Sequence, residues 1–168
     1  ALVLCMNMSG CLGAVQADDY IYVVGIGFDK GSQYRFNVTF LVQKDVSGSE
    51  QTSTGGAEII SAEGDTLFDA ITVLSAGVPF RINFSRANTF FFGEEVARSG
   101  SIKELSNITF NALKIRQSAK LMVCLGTAQR LMQGLCLEDV PNITKLQFSV
   151  FQDYAAEGIT VITNYAGM

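Results

Sequence analysis

Histidine and tryptophan are both absent from the 168 residues, proline occurs twice, and only 17% of positions carry a charge. Without an imidazole there is no Ser-His or Cys-His nucleophile pair, no histidine zinc ligand and no histidine general base. Basic residues are scarce as well: 12 Lys and Arg stand against 16 Asp and Glu, a net charge of −4 with a pI near 4.8. A chain with no cationic surplus has little with which to displace counterions from a phosphate backbone, so nucleic acid is not an expected partner. No uninterrupted apolar run approaches the ~18 residues of a membrane-spanning helix. Yet 48% of the residues are hydrophobic, too many for a disordered chain. The length suits one domain with a core, or one domain and a fragment of a second.

What is present begins with an apolar stretch, Ala1 to Met8, running into Ser9-Gly10-Cys11. An apolar segment that leads into small residues is the layout of a secretory signal peptide. Small residues directly before a cysteine resemble a bacterial lipobox, in which Cys11 would be acylated and become the mature N-terminus. The sequence opens without Met and without a basic segment, so a stretch upstream is expected. Residues 1–10 are thus read as a signal-peptide remnant and 11–19 as a lipidated tether. Residues 20–138 are read as an α+β domain, and 139–168 as a final helix or linker. Acyl chains on Cys11 would hold the chain to a lipid bilayer, each buried methylene contributing about 0.8 kcal/mol.

Beyond the tether, the pattern alternates between strand and helix. Tyr20 to Phe28 is β-branched and aromatic, Asp29 to Ser32 is a turn cluster, and Tyr34 to Gln43 alternates, which together predict a β-hairpin. Ser47 to Gly56 reads as a mobile loop, and Ala57 to Glu63 as a third strand. Asp65 is the expected N-cap of a helix that places Leu67, Phe68, Ile71 and Leu74 on one face and ends at Gly77 and Pro79. Thr89 to Gly93 is a buried strand, followed by short helices at Glu94–Arg98 and Ile102–Leu113. Lys120 to Leu125 reads as a strand, and Thr127 to Met132 as a helix closed by Gly134. Pro141 to Tyr154 has helical spacing again, and 159–168 is a linker or an unfinished element. The fold class expected is α+β: a mixed sheet with an N-terminal hairpin, packed against several short helices.

No catalytic constellation emerges from this pattern. Gly25-Ile-Gly27 with Gly31 has the wrong spacing for a phosphate loop and precedes a strand, so these read as hairpin glycines. Glu94 and Glu95 are adjacent on a helix and point apart. Glu63, Asp65 and Asp69 form the one local acid group a carboxylate hydrolase could use, but they straddle a strand end and a helix start, where caps belong. Cys124 and Cys136 read as buried free thiols, with a bridge between them the alternative. Arg81, Arg86 and Arg98 fall within one stretch together with apolar residues, a mixture enriched at protein interfaces. That makes Arg81, Arg86, Glu94, Glu95 and Arg98 the candidate partner interface.

The block from Ser61 to Ile71, continuing through Arg81, Asn83 and Phe84 to Phe92–Gly100, resembles a known family. It is similar to the N-terminal domain of the C-subunit lipoproteins of bacterial spore germinant receptors, the Ger(x)C type. The lipobox at Cys11, the stretch Gly25 to Lys30, and Ile115-Arg116 leading to Leu125–Ala128 resemble the same family in the same order. The chain departs from the family at Ser85-Arg86, where a Ser-His pair is frequent, and at Asn111-Ala112, where an Arg-Asp pair is common. The resemblance implies a subunit without enzymatic activity, cofactor or metal, tethered by lipid to the outer face of the spore inner membrane. Its implied partners are two integral-membrane subunits of the receptor, and its implied role is nutrient-triggered germination. The resemblance also implies that 139–168 leads to missing downstream domains. Two rival readings come from other classes: a lipid-anchored solute-binding protein, and a cell-envelope hydrolase.

Overall fold

The computed structural model describes residues 20–43, 57–115, 118–137 and 163–164. The expectations for Cys11 and its tether, the stretch 47–56 and the helical pattern of 141–154 lie outside the described residues. In chain order the elements are β1 (Tyr20–Lys30), β2 (Phe36–Gln43), β3 (Ala57–Gly64), α1 (Leu67–Gly77), β4 (Arg81–Asn83), β5 (Thr89–Phe92), α2 (Glu94–Arg98), α3 (Ile102–Leu113), β6 (Lys120–Val123), α4 (Ala128–Leu137) and β7 (Thr163–Asn164). The expected α+β class and N-terminal hairpin are both present.

The strands form one mixed seven-stranded sheet in the order β3-β2-β1-β5-β6-β7, with β4 also paired to β1. β1, β2 and β3 are joined antiparallel, whereas β5 runs parallel to both β1 and β6. β1 is long enough to take two partners along one edge, β4 beside Tyr20–Tyr22 and β5 beside Gly25–Phe28. β4 is not foreseen from the residue pattern, because a three-residue segment shortly after Pro79 carries no strand signal of its own until β1 pairs with it. Within 159–168, Thr163 and Asn164 pair with Leu121 and Lys120.

Both faces of this sheet are apolar. On one, Ile21, Val23, Ile26 and Phe28 join alternate residues of β2, Phe90, Phe92 and Leu121, closed by Leu67, Ala70 and Leu74 of α1, Val96 of α2, and Leu105 and Phe110 of α3. On the other, Val24, Leu41, Phe91 and Met122 meet Ala128, Met132 and Leu135 of α4. Coverage on both sides explains why β1 and Phe90-Phe91-Phe92 read as near-continuous apolar runs and not as alternation. A register shift between Val23 and Gly25 resets the alternation along β1. Phe28 and Phe92 stack with centroids 5.4 Å apart, and Phe110 meets Phe90 edge-on at 5.0 Å.

Gly25 and Gly27 lie within the hairpin, inside β1. A Cβ on Gly27 would stand 2.6 Å from Met132 Sδ and 3.2 Å from Ala128 Cβ, so the bare backbone is what lets α4 settle on the sheet. Three other local expectations are corrected by packing. The N-cap of α1 is Thr66 and not Asp65: Asp69 N donates to Thr66 Oγ1 and Thr66 N to Asp69 Oδ2, a reciprocal capping box. In this helix Leu67, Ala70 and Leu74 are buried while Phe68 is 50% exposed, because Phe68 lies about 100° round from Leu67. Finally, α4 does not close at Gly134 but runs through it to Leu137. Burying Leu135 against the sheet outweighs the ~1 kcal/mol helix penalty of an exposed glycine.

Truncating Leu67 to Ala is therefore expected to cost roughly 2–5 kcal/mol, whereas Phe68→Ala should stay within about 0.5 kcal/mol of wild type. Equilibrium urea unfolding of the two variants checks the assignment, and a larger loss for Phe68→Ala would place the wrong face on the core.

Candidate functional site

Because β1, β5 and β6 are parallel, all three finish at the same end of the sheet. The end of β1 at Asp29-Lys30 and the segments after β5 and β6, Gly93–Arg98 and Gly126-Thr127, line a cavity of about 340 Å³. Its floor is set by Asp29, only 4% exposed. Asp29 Oδ1 accepts from Ala128 N at 2.7 Å, and Oδ2 accepts from Gln129 N at 2.8 Å. A side chain in β1 thus caps a helix that begins 99 residues later, satisfying two amides that have no partner within the helix. Burial pushes the Asp29 carboxyl above its ordinary range, while the amides of Gln129 and Ala128 hold it down.

The surrounding backbone is fitted to that carboxylate. A Cβ on Gly93 would overlap Asp29 Oδ1, so no larger residue fits there without displacing it. Gly93 N donates to Phe28 O at 2.9 Å and Glu94 N to Gly126 O at 2.8 Å, while Gly126 turns the chain with φ +79°.

The charged rim divides as helical geometry requires. Arg98 Nη2 lies 2.7 Å from Glu94 Oε1, one turn away on α2, and Lys30 Nζ lies 3.2 Å from Glu95 Oε2. Arg98 hydrogen bonding, the Gly126 amide and the Arg98 charge together hold the Glu94 carboxyl below its ordinary range. Glu94, Glu95 and Arg98 are therefore brought together at this end.

Arg81 and Arg86 are not brought to the cleft. Arg81 pairs with Tyr20 at the start of β1, and the Arg86 guanidinium sits 3.9 Å above the Tyr22 ring. From Tyr22 to Phe28 the strand advances about 20 Å. The five candidate residues therefore form two groups at opposite ends of one strand.

The acid group Glu63, Asp65 and Asp69 has a different use. Glu63 Oε1 accepts from Ser32 N at 2.9 Å and Oγ at 2.8 Å, Glu63 Oε2 from Gln33 N at 2.9 Å, and Asp65 Oδ1 from Arg35 N at 3.2 Å. The turn from Gly31 to Arg35 contains no carboxylate or asparagine of its own. That lack is the sequence signal that another segment must supply acceptors for its amides. Bonds from Ser32 and Gln33 bring the Glu63 carboxyl down to about 2.

Cys124 and Cys136 are free, and α4, about 15 Å long, runs between them. Burial first, then the nearby Asp29 charge, pushes the Cys124 thiol up to about 12. Burial and Glu58 raise Cys136. Neither thiol is activated as a nucleophile. Among the described residues no three His, Cys, Asp or Glu side chains cluster closely enough to hold a metal ion.

Two expectations follow for stability. Asp29→Ala leaves two amides of α4 without acceptors and should cost about 1–3 kcal/mol, with Gly93→Ala destabilising in the same sense; urea titration measures both. Glu63, ionised in the fold down to about 2 against an ordinary 4.5, adds stability above pH 4.5 that fades as the pH falls toward 2. Acid titration of Glu63→Gln should therefore show a shallower loss across that window than wild type, and identical profiles would contradict the assignment.

Comparison with known proteins agrees with this architecture's sequence signals. A family model described as the spore germination protein N-terminal domain matches residues 13–162. YfkR of Bacillus subtilis (strain 168), a protein whose name assigns it to spore germination, is 28% identical over 149 residues, covering 83% of this chain. The chain spans only 38% of that relative's length. No solved structure matches. Matched from residue 13 to residue 162, the chain belongs to the spore germination protein N-terminal domain family.

Proposed function

We propose that this chain acts as the lipid-anchored, non-enzymatic subunit of a spore nutrient germinant receptor, held on the outer face of the spore inner membrane by acylated Cys11. Membership in the spore germination family over residues 13–162 is the observation that carries this reading. The lipobox cysteine stands two residues before the matched region, where an anchor would leave the whole domain outside the bilayer. No helix among the described residues is long and apolar enough to cross a membrane. A lipid anchor would supply the attachment instead.

The role in germination would then be exerted by contact with the receptor's membrane subunits. Two surfaces are available: the group at the cleft (Glu94, Glu95 and Arg98), and the Arg81–Arg86 segment at the end of the sheet where β1 begins. The carboxylates a hydrolase would need are hydrogen-bonded to backbone amides or to a cap, which favours the contact reading over envelope hydrolysis. Further domains, implied by the family resemblance, would complete the subunit.

Acylation is checked by expressing the full precursor in a Gram-positive host with a fatty-acid analogue. Label should be lost in Cys11→Ala, and equal labelling would end the anchor reading. For contact, Arg81→Ala with Arg86→Ala, and separately Glu95→Ala with Arg98→Ala, are introduced into the native host at matched protein levels. At least one pair should slow nutrient-triggered germination severalfold and weaken co-purification with the membrane subunits. Normal germination and co-purification in both would move the interface elsewhere.

A further inference from the structure

We infer that the end of the sheet where β1 begins lies against the bilayer at headgroup level, with Phe80, Arg81, Tyr20 and Tyr22 as the contact, and that the Asp29 cleft points away from the membrane. The inference rests on the proposed acylation of Cys11 and adds an orientation to it. From Cys11 to Tyr20 there are nine residue steps, a reach of at most roughly 30 Å. The anchor therefore keeps the start of β1 near the surface, while a domain on such a tether could still turn any face to it.

Composition makes the choice. At the start of β1, Tyr20 and Tyr22 are half-buried with rings 6.5 Å apart, Phe80 is 36% exposed, Arg81 is exposed beside Tyr20, and Arg86 stacks on Tyr22. Aromatic rings with arginine stems, apolar in body and polar at the tip, are the side chains that settle at a membrane interface. The opposite end is unsuited to it. With the exception of Glu58, every described carboxylate stands there: Glu63, Asp65 and Asp69 around the hairpin turn, Asp29, Glu94 and Glu95 at the cleft, and Glu104 paired with Arg35. Even with Lys30, Arg35 and Arg98 paired to Glu95, Glu104 and Glu94, this concentration of carboxylates disfavours close approach to anionic headgroups. Asp18 and Asp19 lie in the tether itself, so the contact depends on inserted rings and guanidinium groups and not on a net positive field.

The absence of tryptophan supplies the test. Acylated full chain carrying a single Trp, as Phe80→Trp or Tyr20→Trp near the anchor, or as Leu125→Trp at the far end, where Leu125 is 94% exposed, is bound to phosphatidylcholine vesicles containing phosphatidylglycerol. Brominated lipid should quench the two near positions at least threefold more than Leu125→Trp. Equal or reversed quenching, or no quenching at any position on vesicle-bound protein, overturns the orientation. Failure of the chain to join vesicles at all would instead overturn the anchor reading, and the orientation with it. Two near positions guard against one substitution disturbing the fold.

Discussion

Asp29 carries a carboxylate into a site that little solvent reaches, and the structure around it is arranged so that this is tolerable. Burial of an ionised carboxyl is costly unless hydrogen bonds replace water, and here the two amides at the start of α4 do so. The same contact fixes where α4 begins, and α4 alone among the described helices covers the second face of the sheet. Gly93 must lack a side chain for the carboxylate to fit. Gly27 must lack one for α4 to lie close once it is placed. One polar contact between segments nearly a hundred residues apart thus aligns the ends of three parallel strands and the helix that crosses them.

A second fastening works by the same chemistry on the other side of the hairpin. Glu63 and Asp65 supply acceptors to the amides of the β1–β2 turn, and Asp69 closes the cap of α1 beside them. Carboxylates in this domain hold backbone amides, which is why a sequence with a local acid group shows no general acid–base arrangement there. A domain whose described carboxylates, Glu58 apart, stand at one end suits a role in contact and positioning, in keeping with membership in a germination family and with the proposed place in a receptor.

Much of the fold was legible from residue pattern. The hairpin, the third strand, Thr89–Phe92 and the helices at Glu94 and Ile102 all follow from local periodicity and from glycine and proline punctuation, since each has its apolar residues at the spacing its own geometry requires. Where local signals competed, the sequence misled: Phe68 shares a helix with Leu67 and Leu74 but not their face, and Gly134 looked like a terminator until Leu135 found the sheet. β4 has no signal without β1 beside it.

Determined by the sequence itself were the α+β class, the absence of imidazole chemistry, the candidate lipobox at Cys11 and the divergence of Glu94 and Glu95, all matters of composition or short-range geometry. Tertiary structure alone decided that Asp29 caps α4, that Gly27 admits it, that Glu63 serves a turn some thirty residues earlier, and that Arg81 and Arg86 stand apart from Arg98. The physical reason is common to all four. Each is a pairing between segments distant along the chain, and a hydrogen bond or close approach of that kind leaves no periodic trace in either segment until the sheet brings them together.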